Sequence, residues 1–135
     1  MTREELIVRL EAATEPDRLL DAEIAVAMPH DGQWRVDTER PGEIRYHLIT
    51  GPKSASAGTH DAPPFTSSVD WAVKAIPAGF EHWAMLPCEG EEGALNGPFN
   101  GRWDACIYPG TLWCNGATPA IALCIAMLHK RGLQP

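Results

Sequence analysis

Gly51-Pro52-Lys53-Ser54 follows an extended segment and comes nearest, in this chain, to a phosphate-binding loop. It lacks the first glycine of that motif, and no helical pattern follows Ser54. No row of backbone amides is therefore set up to cradle a phosphate. What remains is a cation, Lys53, beside a hydroxyl, Ser54, on a plain loop that can meet an anion. Further along, His60-Asp61 sets an imidazole next to a carboxylate able to orient it. A hydrolase would need Ser54 or Ser56 to fold against that pair, and there is no Gly-x-Ser-x-Gly elbow. The histidines His30, His47, His60, His82 and His129 have no metal-ligand spacing, so neither a metal nor a cofactor is expected.

The cysteines Cys88, Cys106, Cys114 and Cys124 form no Cys-x-x-Cys pair. A zinc site from Cys106, Cys114 and a histidine has no support in the spacing. Cys88 has no expected helix N-terminus beside it to activate its thiol. Residues 2–11 are charged and amphipathic, unlike a secretory signal. Buried, reduced thiols in a cytoplasmic protein are the expectation.

A formal charge of −7 argues against electrostatic binding to nucleic acid or to an anionic membrane and favours a basic partner. The acids are spread along the chain, which argues against mimicry of DNA. No apolar run reaches the roughly 18 residues that span a bilayer. Among the tryptophans, Trp83, Trp103 and Trp113 lie on strand candidates and read as core. Trp71 falls off the stripe of Val69, Ala72, Val73 and Ile76 and suits an interface as well as it suits the core. Trp34, in a weakly patterned region, is similar.

These residues must be positioned by elements that the sequence marks in part. Thr2 with Glu5 forms a capping box ahead of Leu6, Ile7, Leu10 and Ala13. Thr14 reads as the cap of a second helix, with Pro16 in its first turn and Leu20, Ile24, Ala27 and Met28 on one face. Charges on the outward face read as solvated. Residues 30–41 hold a short extended candidate around Gln33-Trp34-Arg35-Val36, and residues 43–48 alternate and read as a strand. Residues 50–64 read as a flexible loop, long by the standards of compact domains and of the kind that carries function. Ser67 with Asp70 signals a helix ended by Pro77 and Gly79.

Residues 80–86 are a strand candidate, and 88–101 a glycine- and glutamate-rich loop. Residues 102–108 alternate cleanly, with Trp103, Ala105 and Ile107 facing the core. Pro109-Gly110 turns the chain so that residues 111–114 pair back as a hairpin. The clearest element is the last helix. Thr118 caps it, Pro119 sits at its first position, Lys130 and Arg131 close it, and Gly132 offers a left-handed stop. Residues 120–128 carry no polar side chain, so this helix must be buried on several sides, in the core or at a subunit interface.

The run Pro64-Phe65-Thr66-Ser67-Ser68-Val69-Asp70-Trp71-Ala72-Val73-Lys74-Ala75-Ile76-Pro77-Ala78-Gly79-Phe80 is similar to a pattern in phage and prophage proteins. There an aromatic residue, a small hydroxyl and a Ser-Leu-Asp-Ala-Ala run lead through a proline–glycine turn into a strand. Ala117-Thr118-Pro119-Ala120-Ile121-Ala122-Leu123-Cys124 resembles the start of the same proteins' last helix. On these motifs the chain resembles small phage proteins with the phage ABA sandwich domain, over residues 5–28 and 62–131. The resemblance implies a layered fold and, for a phage-encoded chain, a place in the host cytoplasm; it carries no established chemistry. Residues 50–64 and 88–101 are where the chain departs from the pattern.

The order helix, three strands, helix also occurs in double-stranded RNA binding domains. Those need cations where their helix meets phosphate, and Ala117-Thr118-Pro119-Ala120 has none. The expectation is therefore a single α+β domain over 1–135, a layered sandwich. It has an N-terminal helical segment over 2–28, then a small antiparallel sheet packed with two helices, the last one buried.

The expected function is binding without catalysis, as a phage accessory protein. It would counter a host defence by binding a host protein, or by sequestering a small anionic, nucleotide-like ligand across a homo-oligomer interface. Lys53, Ser54, His60, Trp71 and Trp34 are the expected contacts. The alternatives are a structural or assembly protein of the virion and, third, a small hydrolase.

Overall fold

The computed structural model describes residues 1–28, 33–47, 59–80, 82–89 and 99–132. Helices α1 (Arg3–Ala12) and α2 (Arg18–Ala27) come first. Strands β1 (Gln33–Val36), β2 (Glu43–His47) and β3 (Thr59–Asp61) follow, then helix α3 (Val69–Lys74). Strands β4 (His82–Glu89), β5 (Phe99–Tyr108) and β6 (Cys114–Gly116) lead into helix α4 (Pro119–Arg131). The strands form two antiparallel three-stranded sheets, ordered β1-β2-β3 and β4-β5-β6. This is an α+β layered fold with helices packed on both sheets. Sequence patterning pointed to such layers but not to how the strands divide between two sheets, because pairing depends on contacts between distant segments.

Helix α4 is the centre of the packing. One side lies on β5 and β6, and the others meet α1 and α3. Every residue from Ala120 to Leu128 is buried. An apolar face in every direction is therefore used up within the chain. Helix α2 covers β1 and β2, and α1 touches both α2 and α4. Gly116 ends β6 where that strand meets the start of α4. A Cβ there would lie 2.6 Å from the Ala122 nitrogen and 2.9 Å from its Cα, so only glycine allows this approach.

Local signals act mostly where the sequence places them. The Thr2–Glu5 capping box closes in both directions, at 3.1 and 3.4 Å. Thr118 accepts from the Ile121 amide at 3.1 Å, with Pro119 at the first helical position. Three local assignments need correction. The cap of α2 is Asp17, not Thr14. Its carboxylate stands directly before the helical run and accepts from the Leu19 and Leu20 amides. The cap of α3 is Ser68, not Ser67, whose hydroxyl donates to the Pro64 carbonyl instead. Gly132 has right-handed angles, φ −69° and ψ −16°. Its lack of a side chain serves Arg3, whose guanidinium fills the space a Cβ would take and donates to the Leu128 carbonyl.

Parts of the two expected loops are strand, and the rest of those calls, residues 50–58 and 90–98, lies outside the described residues. Within 50–64, Thr59–Asp61 is the third strand of the first sheet, paired with β2. Within 88–101, β4 runs on to Glu89 and β5 starts at Phe99. Pairing with a neighbouring strand supplies the order that composition did not signal. Ala105 and Ile107 are fully buried and Trp103 packs against the core, as the alternation requires. Trp83 and Trp113 are not core: they are 37% and 41% exposed. Trp83 stands on edge strand β4, and Trp113 in the irregular segment just before β6.

Candidate functional site

The first sheet is built by period-two alternation. Val36, Ile44 and His60 stand opposite one another across β1, β2 and β3, so they share a face. Trp34 is two residues from Val36 and so points to that face too. The diagonal brings the Trp34 and His60 rings to 5.4 Å between centroids, tilted at 48°. They border a cleft of about 310 Å³. Ile44 is buried at its base, Ala25 and Met28 come from α2, and Pro63 and Phe65 come from the segment after β3. Asp61 borders it as well, with its side chain sent by the alternation to the opposite face of the sheet, beside Glu43.

Two aromatic faces over an aliphatic floor suit a planar ring.

Of the five residues expected to bind, Trp34 and His60 are brought together here. Trp71 lies one ring away. It meets Phe65 edge-on, at 6.4 Å and 84°, and is 38% exposed beneath the Lys74 ammonium, 4.5 Å from its ring centroid. Lys53 and Ser54 lie outside the described residues. Among the described residues, no group of three or more His, Cys, Asp or Glu side chains comes together to hold a metal ion. Among them too, no helix is long and apolar enough to cross a membrane.

The other face of the sheet is polar. Arg35 and Arg45 stand directly opposite, an unfavourable pair of like charges unless a carboxylate intervenes. Asp37 does so, at 2.8 Å from the Arg45 guanidinium. Burial works to raise the Asp37 pKa, but the Glu39 amide and the Arg45 guanidinium outweigh it and hold the carboxyl below its usual value.

Comparison with protein-family models, curated proteins and solved structures finds no match. The chemistry of the site therefore rests on its geometry alone.

Besides Asp37, sequence reasoning missed two more buried charges. Asp21 is 1% exposed and stands on the inward face of α2. It accepts from the Thr66 amide and hydroxyl, both at 2.7 Å, and from Arg18 at 2.8 Å. Arg18 in turn donates to the Ala62 carbonyl. This network fastens α2 to the segment after β3 and so fixes one wall of the cleft. Its signal was spacing: Asp21 falls in line with Ile24, Ala25 and Met28. The second is Lys130, 7% exposed. On a helix that is packed all round, a late cation also meets a packed face.

Proposed function

We propose that this protein is a non-enzymatic, phage-encoded accessory protein that acts by binding. On this reading it sequesters a small nucleotide-like ligand whose base enters the Trp34–His60 cleft. One observation carries the reading: two rings from separate strands meet at 5.4 Å over a cleft of about 310 Å³. A purine fits the aromatic walls. Lys53 and Ser54, shortly before β3 in sequence, are the groups proposed to meet the ligand's phosphate.

The test is calorimetric titration of the full chain with adenosine, guanosine and their monophosphates. Binding is expected, and Trp34→Ala should weaken it by about 1–3 kcal/mol, the usual worth of a base stacked on an aromatic ring. Lys53→Ala should weaken the monophosphate and leave the nucleoside unchanged. Absence of heat with all four would sink the sequestration reading.

A second reading is a protein–protein role, as an inhibitor of a host protein or as a virion component. It is favoured by the exposed apolar side chains Trp71, Trp83, Leu86, Tyr108, Leu112 and Trp113. Retention of a host protein on the purified chain, lost with Trp71→Ala, would favour the first form. Detection in purified particles would favour the second.

A further inference from the structure

Lys130 stands on the last turn of α4 and is 7% exposed. Its ammonium donates to the Pro109 carbonyl at 2.6 Å and lies 5.3 Å from the centre of the Phe80 ring. A side chain on Gly110 would collide with that ammonium, so the turn is shaped around it. Among the described residues, no carboxylate forms an ion pair with it. A carbonyl, a ring face and the end of a helix dipole supply only partial negative charge. Buried charges are ordinarily neutralised by a full counter-charge. Among the described residues one is lacking, and Lys130 borders a cavity of about 170 Å³.

The walls say which anion fits. Ile107, Leu112 and Ala126 line the cavity with hydrocarbon, while Thr111 and His129 add a hydroxyl and an imidazole. A phosphate would have to shed a large hydration shell for one ammonium and a few weaker donors. A carboxylate with a short alkyl chain matches both ends: its oxygens meet the cation and its methylenes replace water on the aliphatic wall. The volume is below that of sites for drug-sized ligands, which favours a molecule of few atoms.

We propose that this cavity binds a small aliphatic monocarboxylate, with its carboxylate on the Lys130 ammonium and its chain along Ile107, Leu112 and Ala126. The site is separate from the Trp34–His60 cleft and does not depend on that cleft's role.

The test is calorimetric titration of the full chain with propionate, butyrate and hexanoate, with hexanol and inorganic phosphate as controls. Affinity should rise about fourfold for each methylene added. Hexanol and phosphate should each bind at least about tenfold more weakly than hexanoate. Lys130→Met should cost hexanoate about tenfold or more. Because that change also releases the Pro109 turn, Leu112→Ala is the companion variant: it trims an exposed wall and leaves the cation in place. Leu112→Ala should reduce the gain per methylene and keep the preference of hexanoate over hexanol. Hexanol binding as tightly as hexanoate, phosphate binding more tightly, or no carboxylate binding to the unaltered chain would each overturn the proposal. Titration with adenosine monophosphate in the same series reports on the other cleft, so the two proposals fail separately.

Discussion

At the scale of single residues, Asp21 ties two elements of the fold together. Its carboxylate holds the Thr66 amide and hydroxyl and the Arg18 guanidinium at once, in a buried position. Asp21→Ala leaves those donors without an acceptor and is expected to cost about 3 kcal/mol of stability in urea denaturation. Thr66→Val, which removes only the hydroxyl, should cost about 1–2 kcal/mol.

The thiols differ sharply from one another. Burial first, and then the neighbouring Cys106, push the Cys114 thiol from 9.0 up to about 11. Burial first, and then Asp21, raise that of Cys124 further still. Both are neutral in the folded chain where an unfolded thiol would already ionise. Their contribution to stability is thus complete below the unfolded pKa, and for Cys114 it is lost as pH rises from about 9 to about 11. Urea midpoints should fall over that window, and Cys114→Ala should reduce the fall. Native labelling with a disulfide reagent should modify half-buried Cys88 before the buried Cys106, Cys114 and Cys124.

At the scale of elements, the first sheet places the cleft and α4 holds the second half together. Strand register decides which side chains share a face, so Trp34 and His60 meet only because β1, β2 and β3 pair as they do. That pairing was half legible. Residues 43–48 read as a strand from alternation and 33–36 as a short extended candidate, but residues 59–61 lie in a run of glycine, proline and serine, and only a partner strand orders them. The close approach of β6 to α4 rests on Gly116. Gly116→Ala should destabilise the chain by about 1–3 kcal/mol, since the Ala122 backbone has to move to admit one carbon. Thr118→Ala, which removes the cap, should cost about 1 kcal/mol in the same denaturation assay.

At the scale of the whole molecule, the two sheets have separate helical supports, α2 and α4, joined through α1. The apolar circumference of α4 is met by β5, β6, α1 and α3 of the same chain, so it needs no second subunit to explain it. Ala122→Glu distinguishes core from interface. A buried, unpaired carboxylate costs several kcal/mol, a large part of the stability of about 5–15 kcal/mol usual for a domain. The variant should lose its cooperative thermal transition by circular dichroism; a folded, soluble monomer would instead mark that face as an interface.

What the sequence determined by itself is what neighbours in the chain can enforce. The capping box at Thr2 and Glu5, the Thr118-Pro119 start of α4, and the inward alternation of Ala105 and Ile107 follow from propensity and periodicity over a few residues. So does burial of α4 on every side, since nine consecutive apolar residues leave no face for water. Tertiary structure decided the rest: two sheets, a meeting of Trp34 with His60, Asp21 closed over by Thr66, and Lys130 buried beside a cavity. Each of these depends on segments far apart in the chain, whose approach is set by how the layers pack. A polar residue reads the same in sequence whether water or a neighbouring helix covers it, and only packing distinguishes the two.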